Sequence, residues 1–273
     1  EAQKIAPALA AGNAVVFKPS EVTPQVGRIF ARLSLEAGVA PGLVNVVTGA
    51  GETGRALVEH PGVDLISFTG GTVAGRYIAE AAGRRLCPVL LELGGKSPNM
   101  ICADADFDAA VKGAAAGIFG SGGQSCIAGS RIFVEAQIHD RFVEALVEAA
   151  AEWRPGMPED AGVRIGPMAS FQHRDAVAAA VDQARAEGAE VRCGGAAPDD
   201  PRLADGAFYL PTVLTGLGND SQTAQQEIFG PVCVVLPFAD ESDLVAKANT
   251  TDFGLAAGIW SSERPDRSSA MSI

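Results

Sequence analysis

Between residues 2 and 92 short apolar runs alternate with helical stretches, and that rhythm limits the fold more than any other feature of the chain. Residues 2–11 are alanine-rich with helical apolar spacing and stop at Gly12; residues 13–17 then read as a strand. Thr23-Pro24 supplies a capping residue and a first-turn proline for a helix running to about Gly38. Residues 43–48 and 65–69 read as further strands and 52–60 and 73–84 as helices, ahead of the apolar run Val89-Leu90-Leu91. Strand then helix, repeated, is the pattern of parallel strands joined by crossover helices, so an α/β fold with a sheet covered on both faces is expected.

Past Pro98 the order changes but stays α/β. Residues 99–102 are strand-like, Asp104-Ala105-Asp106 opens a helix to about Phe119, and 131–134 is a strand. Residues 138–153 form an amphipathic helix with Phe142, Leu146 and Ala149 or Ala150 on one side, followed by a proline-rich connection over 154–168. A long helix is expected at 171–188, strands at 190–193, 232–238 and 255–260, an extended run at 209–214 and a helix at 240–249. Residues 198–206 read as a surface excursion. A division near Gly94-Gly95 gives two domains, 1–94 and 95–273.

Two stretches carry chemistry. In Gly122-Gly123-Gln124-Ser125-Cys126-Ile127-Ala128-Gly129 a single thiol stands among glycines and small polar residues, so backbone can approach a ligand and no bulky neighbour hides the sulfur. That suits attack on a carbonyl, although most free cysteines are small buried hydrophobes. Upstream, in Leu91-Glu92-Leu93-Gly94-Gly95-Lys96-Ser97-Pro98, a carboxylate closes a buried strand; desolvation there disfavours its charged form and makes Glu92 a candidate general base. Thiol and base together describe acyl chemistry through a covalent thioester.

With these two stretches the sequence resembles the aldehyde dehydrogenase superfamily. Further matches stand at Phe17-Lys18-Pro19-Ser20-Glu21, at Phe68-Thr69-Gly70-Gly71-Thr72-Val73-Ala74-Gly75 and at Glu227-Ile228-Phe229-Gly230-Pro231-Val232, so the likeness spans residues 17–232. It implies a Rossmann-like NAD-binding domain over 1–94 and a cysteine-bearing catalytic domain over 95–273, with the active site in the cleft between them. It implies Cys126 as nucleophile and Glu92 as the base that activates water; Glu227, the competing carboxylate, falls on the nicotinamide ribose and Phe229 beside the nicotinamide.

The likeness also places the cofactor pyrophosphate on Gly70, Gly71, Thr72 and Gly75, where a strand meets a helix and free amides favour an anion. The family usually has serine where Gly71 stands, so one hydroxyl contact is missing. Lys18, Ser20 and Glu21 fall at the adenosine ribose and Leu93 beside the cofactor. A carboxylate accepting from the ribose diol repels a 2'-phosphate, which favours NAD over NADP. Thr48-Gly49-Ala50-Gly51-Glu52-Thr53-Gly54 matches G-x-G-x-x-G, but Phe68-Thr69-Gly70-Gly71 stands where the dinucleotide fingerprint needs an acidic residue. Gly51 is therefore read as part of a tight turn near the adenine end. The family's second oxyanion donor, an asparagine, has no match here, since Asn13, Asn45 and Asn99 lie in other motifs.

Composition closes off other classes. The net charge of -12, with both signs scattered, is wrong for a phosphate-backbone binder, so no nucleic-acid partner is expected. No apolar run approaches the roughly 18 residues of a membrane span. Five cysteines with no C-x-x-C pair are a poor disulfide framework and suggest a reducing, cytoplasmic setting; Cys87, Cys102 and Cys233 sit in apolar strand-like runs as packing residues. His60, His139 and His173 have no metal-ligand spacing, and no metal is expected. The chain lacks an initial methionine and stops at Ser269-Ala270-Met271-Ser272-Ile273 within what reads as a helix. It is therefore expected to be a fragment, poorly active alone, of a homodimer or homotetramer that acts on a small-molecule aldehyde. A CoA-acylating relative, a non-catalytic protein on the same fold and a cysteine hydrolase are the competing readings. Glu92 argues against the first and the intact thiol against the second, and only the third would need no nucleotide.

Overall fold

The structure is a computed structural model and describes residues 2–263. The chain divides into two compact units between Leu93 and Gly94.

The first unit alternates as the sequence rhythm requires: α1 (Ala2–Ala10), β1 (Val15–Phe17), α2 (Pro24–Glu36), β2 (Val44–Val46), α3 (Gly51–Glu59), β3 (Ile66–Thr69), α4 (Thr72–Arg84) and β4 (Val89–Glu92). All pairing is parallel, with β1 beside β2 and β3 beside β4. The single sheet expected here is instead two separate two-stranded pairs. Periodicity identifies extended segments, but which of them share a ladder is settled by tertiary contacts. The apolar core of the unit joins Val58 of α3, Ile66 of β3 and Ile78, Ala81 and Ala82 of α4. Thr23 does not cap α2 with its side chain; Pro24, with its ring-fixed φ, opens that helix.

In the second unit β5 (Pro98–Ile101), α5 (Phe107–Phe119), β6 (Arg131–Glu135), α6 (His139–Ala150), α7 (Phe171–Ala186) and β7 (Glu190–Cys193) are followed by β8 (Thr212–Thr215), α8 (Gln222–Gln225), β9 (Val232–Phe238), α9 (Glu241–Asn249) and β10 (Gly258–Trp260). One six-stranded sheet runs β10-β5-β6-β9-β8-β7 and is parallel except for β7 against β8. Its central strands are covered on both faces. Ile132, Val134, Cys233 and Val235 pack with α5 and α6, whereas Phe133, Val234 and Leu236 pack with Val177 and Val181 of α7 and Leu244 of α9. Two buried faces explain why these strands are apolar without interruption.

Several element boundaries differ from expectation for local reasons. Asp106, not Asp104, starts α5: its carboxylate accepts from Ala109 N at 3.0 Å. Asp104 instead accepts from the Glu263 amide and from the hydroxyls of Ser262 and Ser261, which hold its carboxyl down to about 2. The short helix α8 was not expected, and Ser221 caps it. The helix read at the chain end, residues 269–273, lies outside the described residues.

Arg131, at the start of β6, is fully buried and joins three segments. Its Nε donates to Lys96 O at 2.8 Å, Nη1 to Lys247 O at 3.1 Å and Asn219 Oδ1 at 3.2 Å, and Nη2 to Ala248 O at 2.8 Å. Carbonyls at the C-terminal end of α9 carry the negative end of the helix dipole, which suits a guanidinium. Arg131→Met leaves the buried Lys96 and Ala248 carbonyls without their Arg131 donors, while Lys247 O keeps Asn219 Nδ2, and is expected to cost roughly 3 kcal/mol or more of stability, read from the urea unfolding midpoint.

Candidate active site

Helix α5 ends at Gly120 and leads into a turn in which Ser121, Gly122 and Gly123 have φ of 54°, 63° and 70°. Three successive left-handed residues reverse the chain so that Cys126 emerges beyond the end of a buried helix. The thiol is half-buried. Among the described residues the Cys126 backbone N–H donates to no protein acceptor, whereas its neighbours Gln124 and Ala128 bond back to Ser121 O and Ser125 O.

Two other backbone stretches press against this loop. A Cβ at Gly95 would meet the Cys126 carbonyl oxygen, and one at Gly123 would meet the Gly230 carbonyl. Glu227 lies against Gly94, and its Oε1 accepts from Gly95 N at 3.2 Å. A small cavity lined by Gly95, Gly123, Ser125, Glu227, Phe229 and Gly230 marks where the three meet. Residues 94–96, 123–126 and 227–230 are thus one cluster, and the structure brings Glu227 and Phe229 to the thiol loop. Phe229 is exposed and left-handed, with φ 57°, a conformation that costs a residue other than glycine roughly 1–3 kcal/mol.

Residues at the carboxyl ends of β3 and β4 form a second group, within the first unit. Thr69 pairs with Glu92, and Gly70 N donates to Glu92 O at 3.1 Å, so Glu92 and the Gly70–Gly75 loop share one edge. In open α/β sheets that edge is where ligands bind. Helix α4 begins at Thr72 with no side-chain cap, which leaves its first amides free for an anion, and a Cβ at Gly71 would meet nothing. A Cβ at Gly75 would strike Leu93, so this glycine lets Leu93 lie flat on α4. These residues fit a dinucleotide pyrophosphate. Glu92 itself is exposed, so the buried carboxylate expected at the end of an apolar run is not found; the pleat turns residue 92 outward while Leu91 packs inward.

Lys18 follows β1, and its Nζ donates to Pro19 O and to Gly49 O, each at 2.9 Å, and lies 3.4 Å from Glu21 Oε2. The Glu21 carboxyl is held below its usual value by its own backbone amide and then by the Lys18 ammonium. Ser20 is exposed and accepts from Val22 N. Gly51 opens α3, and Gly49, at φ 153°, has no room for a Cβ beside Thr53. Lys18, Glu21 and the glycine turn therefore adjoin one another, a juxtaposition the sequence does not display.

The remaining candidates have structural partners. Asn99 accepts from Trp260 Nε1, and the Asn13 and Asn45 amides bond to backbone carbonyls. Cys233 is buried in β9, and burial pushes its thiol up. Cys102, just beyond β5, is pushed up to about 11 by burial and nearby carboxylates. Cys87 lies between α4 and β4 rather than within a strand. Sequence reasoning missed His173, whose Nε2 lies 2.7 Å from Phe229 O, because the pair are 56 positions apart. No group of three or more potential metal ligands occurs among the described residues, and no described helix is long and apolar enough to cross a membrane.

The pattern of the aldehyde dehydrogenase family matches residues 1–271. The chain is 46% identical over 260 residues to the 3,6-anhydro-alpha-L-galactose dehydrogenase of Streptomyces coelicolor, covering 95% of this chain and 53% of that protein. Among solved structures, a putative aldehyde dehydrogenase from Burkholderia cenocepacia superimposes with a TM-score of 0.93 at 46% identity, over 98% of this chain and 54% of that one. The betaine aldehyde dehydrogenase of Staphylococcus aureus in complex with NAD+ gives 0.91 at 42% identity, over 95% and 52%. The chain belongs to the aldehyde dehydrogenase family. It spans about half the length of the curated relatives it matches.

Lys96, next to Gly95, is buried, and its Nζ has no hydrogen-bond partner among the described residues. Burial, then the Arg131 charge, lowers it from 10.5 to about 7, opposed by Glu227. Between those values the unfolded chain holds a proton that the folded chain lacks, so this group's contribution to stability rises with pH across the window and is lost as pH falls through 7. Lys96→Met is expected to raise the urea midpoint most below neutral pH, with the gain shrinking toward about pH 10.

Proposed function

We propose that the full-length protein carrying this chain oxidises an aldehyde to a carboxylic acid with NAD, through a thioester on Cys126. The observation that carries the reading is the Cys126 loop: a half-buried thiol, placed by three left-handed residues, with its own backbone N–H unpaired among the described residues. A thiolate attacking an aldehyde carbon makes a tetrahedral alkoxide one bond from the sulfur, where the Cys126 amide can donate to the oxygen. NAD, when bound, supplies the acceptor for the hydride that leaves this carbon. The free amides of α4 with Gly71, Thr72 and Gly75 would hold its pyrophosphate, and Lys18, Ser20 and Glu21 its adenosine ribose. Leu93, Gly51, Glu227 and Phe229 complete the cofactor contacts. The exposed, ionisable Glu21 beside the ribose favours NAD over NADP.

Glu92 then takes a proton from the water that hydrolyses the thioester. Its side chain makes no hydrogen bond or ion pair among the described residues, so both oxygens are available to water. Glu227 is the alternative base, favoured by its place beside Gly94 and Gly95 against the Cys126 carbonyl. One of its oxygens is already engaged by the Gly95 amide, which suits a ribose-holding group better than a base.

Cys126→Ala in the full-length protein is expected to lower NADH formation from an aldehyde panel by roughly four orders of magnitude while NAD still binds. Turnover close to the unsubstituted level would place the nucleophile elsewhere. Glu92→Gln is expected to give one burst of NADH equal to the enzyme concentration and then stall at the acylated thiol, detectable by mass. Steady turnover in Glu92→Gln together with a stall in Glu227→Gln would transfer the base to Glu227.

A further inference from the structure

We propose that His173 is a positioning residue for the active site: it clamps the Phe229 turn, and through that turn the loop that carries Cys126. The inference rests on the reading above, in which Phe229 lies beside the nicotinamide.

His173 stands in the first turn of α7, where its own amide is held by the Ser170 cap at 3.1 Å. Its Nε2 lies 2.7 Å from the Phe229 carbonyl oxygen. A carbonyl only accepts, so the ring nitrogen donates, and both the neutral Nε2–H tautomer and the imidazolium can do so. The two rings also meet edge to face, 5.9 Å between centroids at 61°. Phe229 is one of three described residues other than glycine with positive φ, and no element of regular structure holds it there. A bond to its carbonyl and a ring against its side chain are what can keep such a residue in one orientation.

The clamp extends to the thiol. Gly230, the next residue, lies flat on Val177 of α7, and its carbonyl fills the space a Cβ at Gly123 would need. On the other side the Ala169 amide, just ahead of α7, donates to Gln124 Oε1 at 2.9 Å. The start of α7 thus grips the cysteine loop through Gln124 and the Phe229–Gly230 turn through His173. Without the imidazole the turn loses its only side-chain donor among the described residues, and the Phe229 ring is free to leave its place.

The test uses the full-length protein with His173→Ala and His173→Gln, the latter because its amide nitrogen reaches about as far as Nε2. His173→Ala is expected to lower kcat roughly tenfold or more, since misplacement of a reacting ring by about an ångström has effects of that size, with KM for NAD and the unfolding midpoint little changed. His173→Gln restores kcat to within about threefold. Crystal structures of both variants without cofactor give a second readout: Phe229 leaves the left-handed region in His173→Ala and stays in His173→Gln. Unchanged kcat and an unchanged Phe229 in His173→Ala overturn the proposal, as does a loss of kcat that follows the unfolding midpoint and is not rescued by glutamine. An unsubstituted protein that reduces no NAD with any aldehyde overturns the functional reading instead, and the Phe229 conformation then decides the clamp by itself.

Discussion

Three pieces of backbone approach each other around Cys126 more closely than side chains allow, and the second unit is built to permit this. Gly95 touches the Cys126 carbonyl, Gly123 the Gly230 carbonyl, and Gly94 the Glu227 carboxylate. A methyl group at any of these positions would move the thiol, the carboxylate or the turn between them. The glycines are therefore a spacing constraint first and a source of flexibility second. Each segment is also anchored from outside the cluster: Lys96 O by Arg131, the cysteine loop by Ala169 through Gln124, and the Phe229 turn by His173.

The supporting frame follows from where buried polar groups find partners. Arg131 meets the C-terminal carbonyls of α9 and the carbonyl of Lys96, so the strand that follows the cysteine loop is tied both to a helix end and to the glycine segment. Lys96 is the opposite case, a buried amine with a charged neighbour and no hydrogen bond among the described residues. One basic group stabilises the frame and the next costs it stability.

In the first unit the same economy appears at the carboxyl ends of β3 and β4. Free amides at the start of α4 and the outward-turned Glu92 sit on one edge because the strands are parallel and in register there. The uncapped end keeps these amides available: a serine or aspartate cap would satisfy the donors that an anion needs.

The alternation of strands and helices, the place of the glycine turns and the candidate thiol and carboxylates are legible in the chain alone, because local periodicity and motif spacing are written in neighbouring residues. The sequence placed most elements to within a few residues, and it set Cys126 in an open turn. Folding, by contrast, sets residues 15–92 in two separate parallel pairs, turns Glu92 outward, and ties Asp104 to the chain near Ser261 instead of to a helix start. His173 against Phe229, Glu227 against Gly95 and Arg131 against α9 belong to the same group. Apart from the outward turn of Glu92, each of these joins residues far apart in the chain, and a contact of that kind leaves no periodic trace in the sequence; it exists only once packing has chosen which surfaces meet.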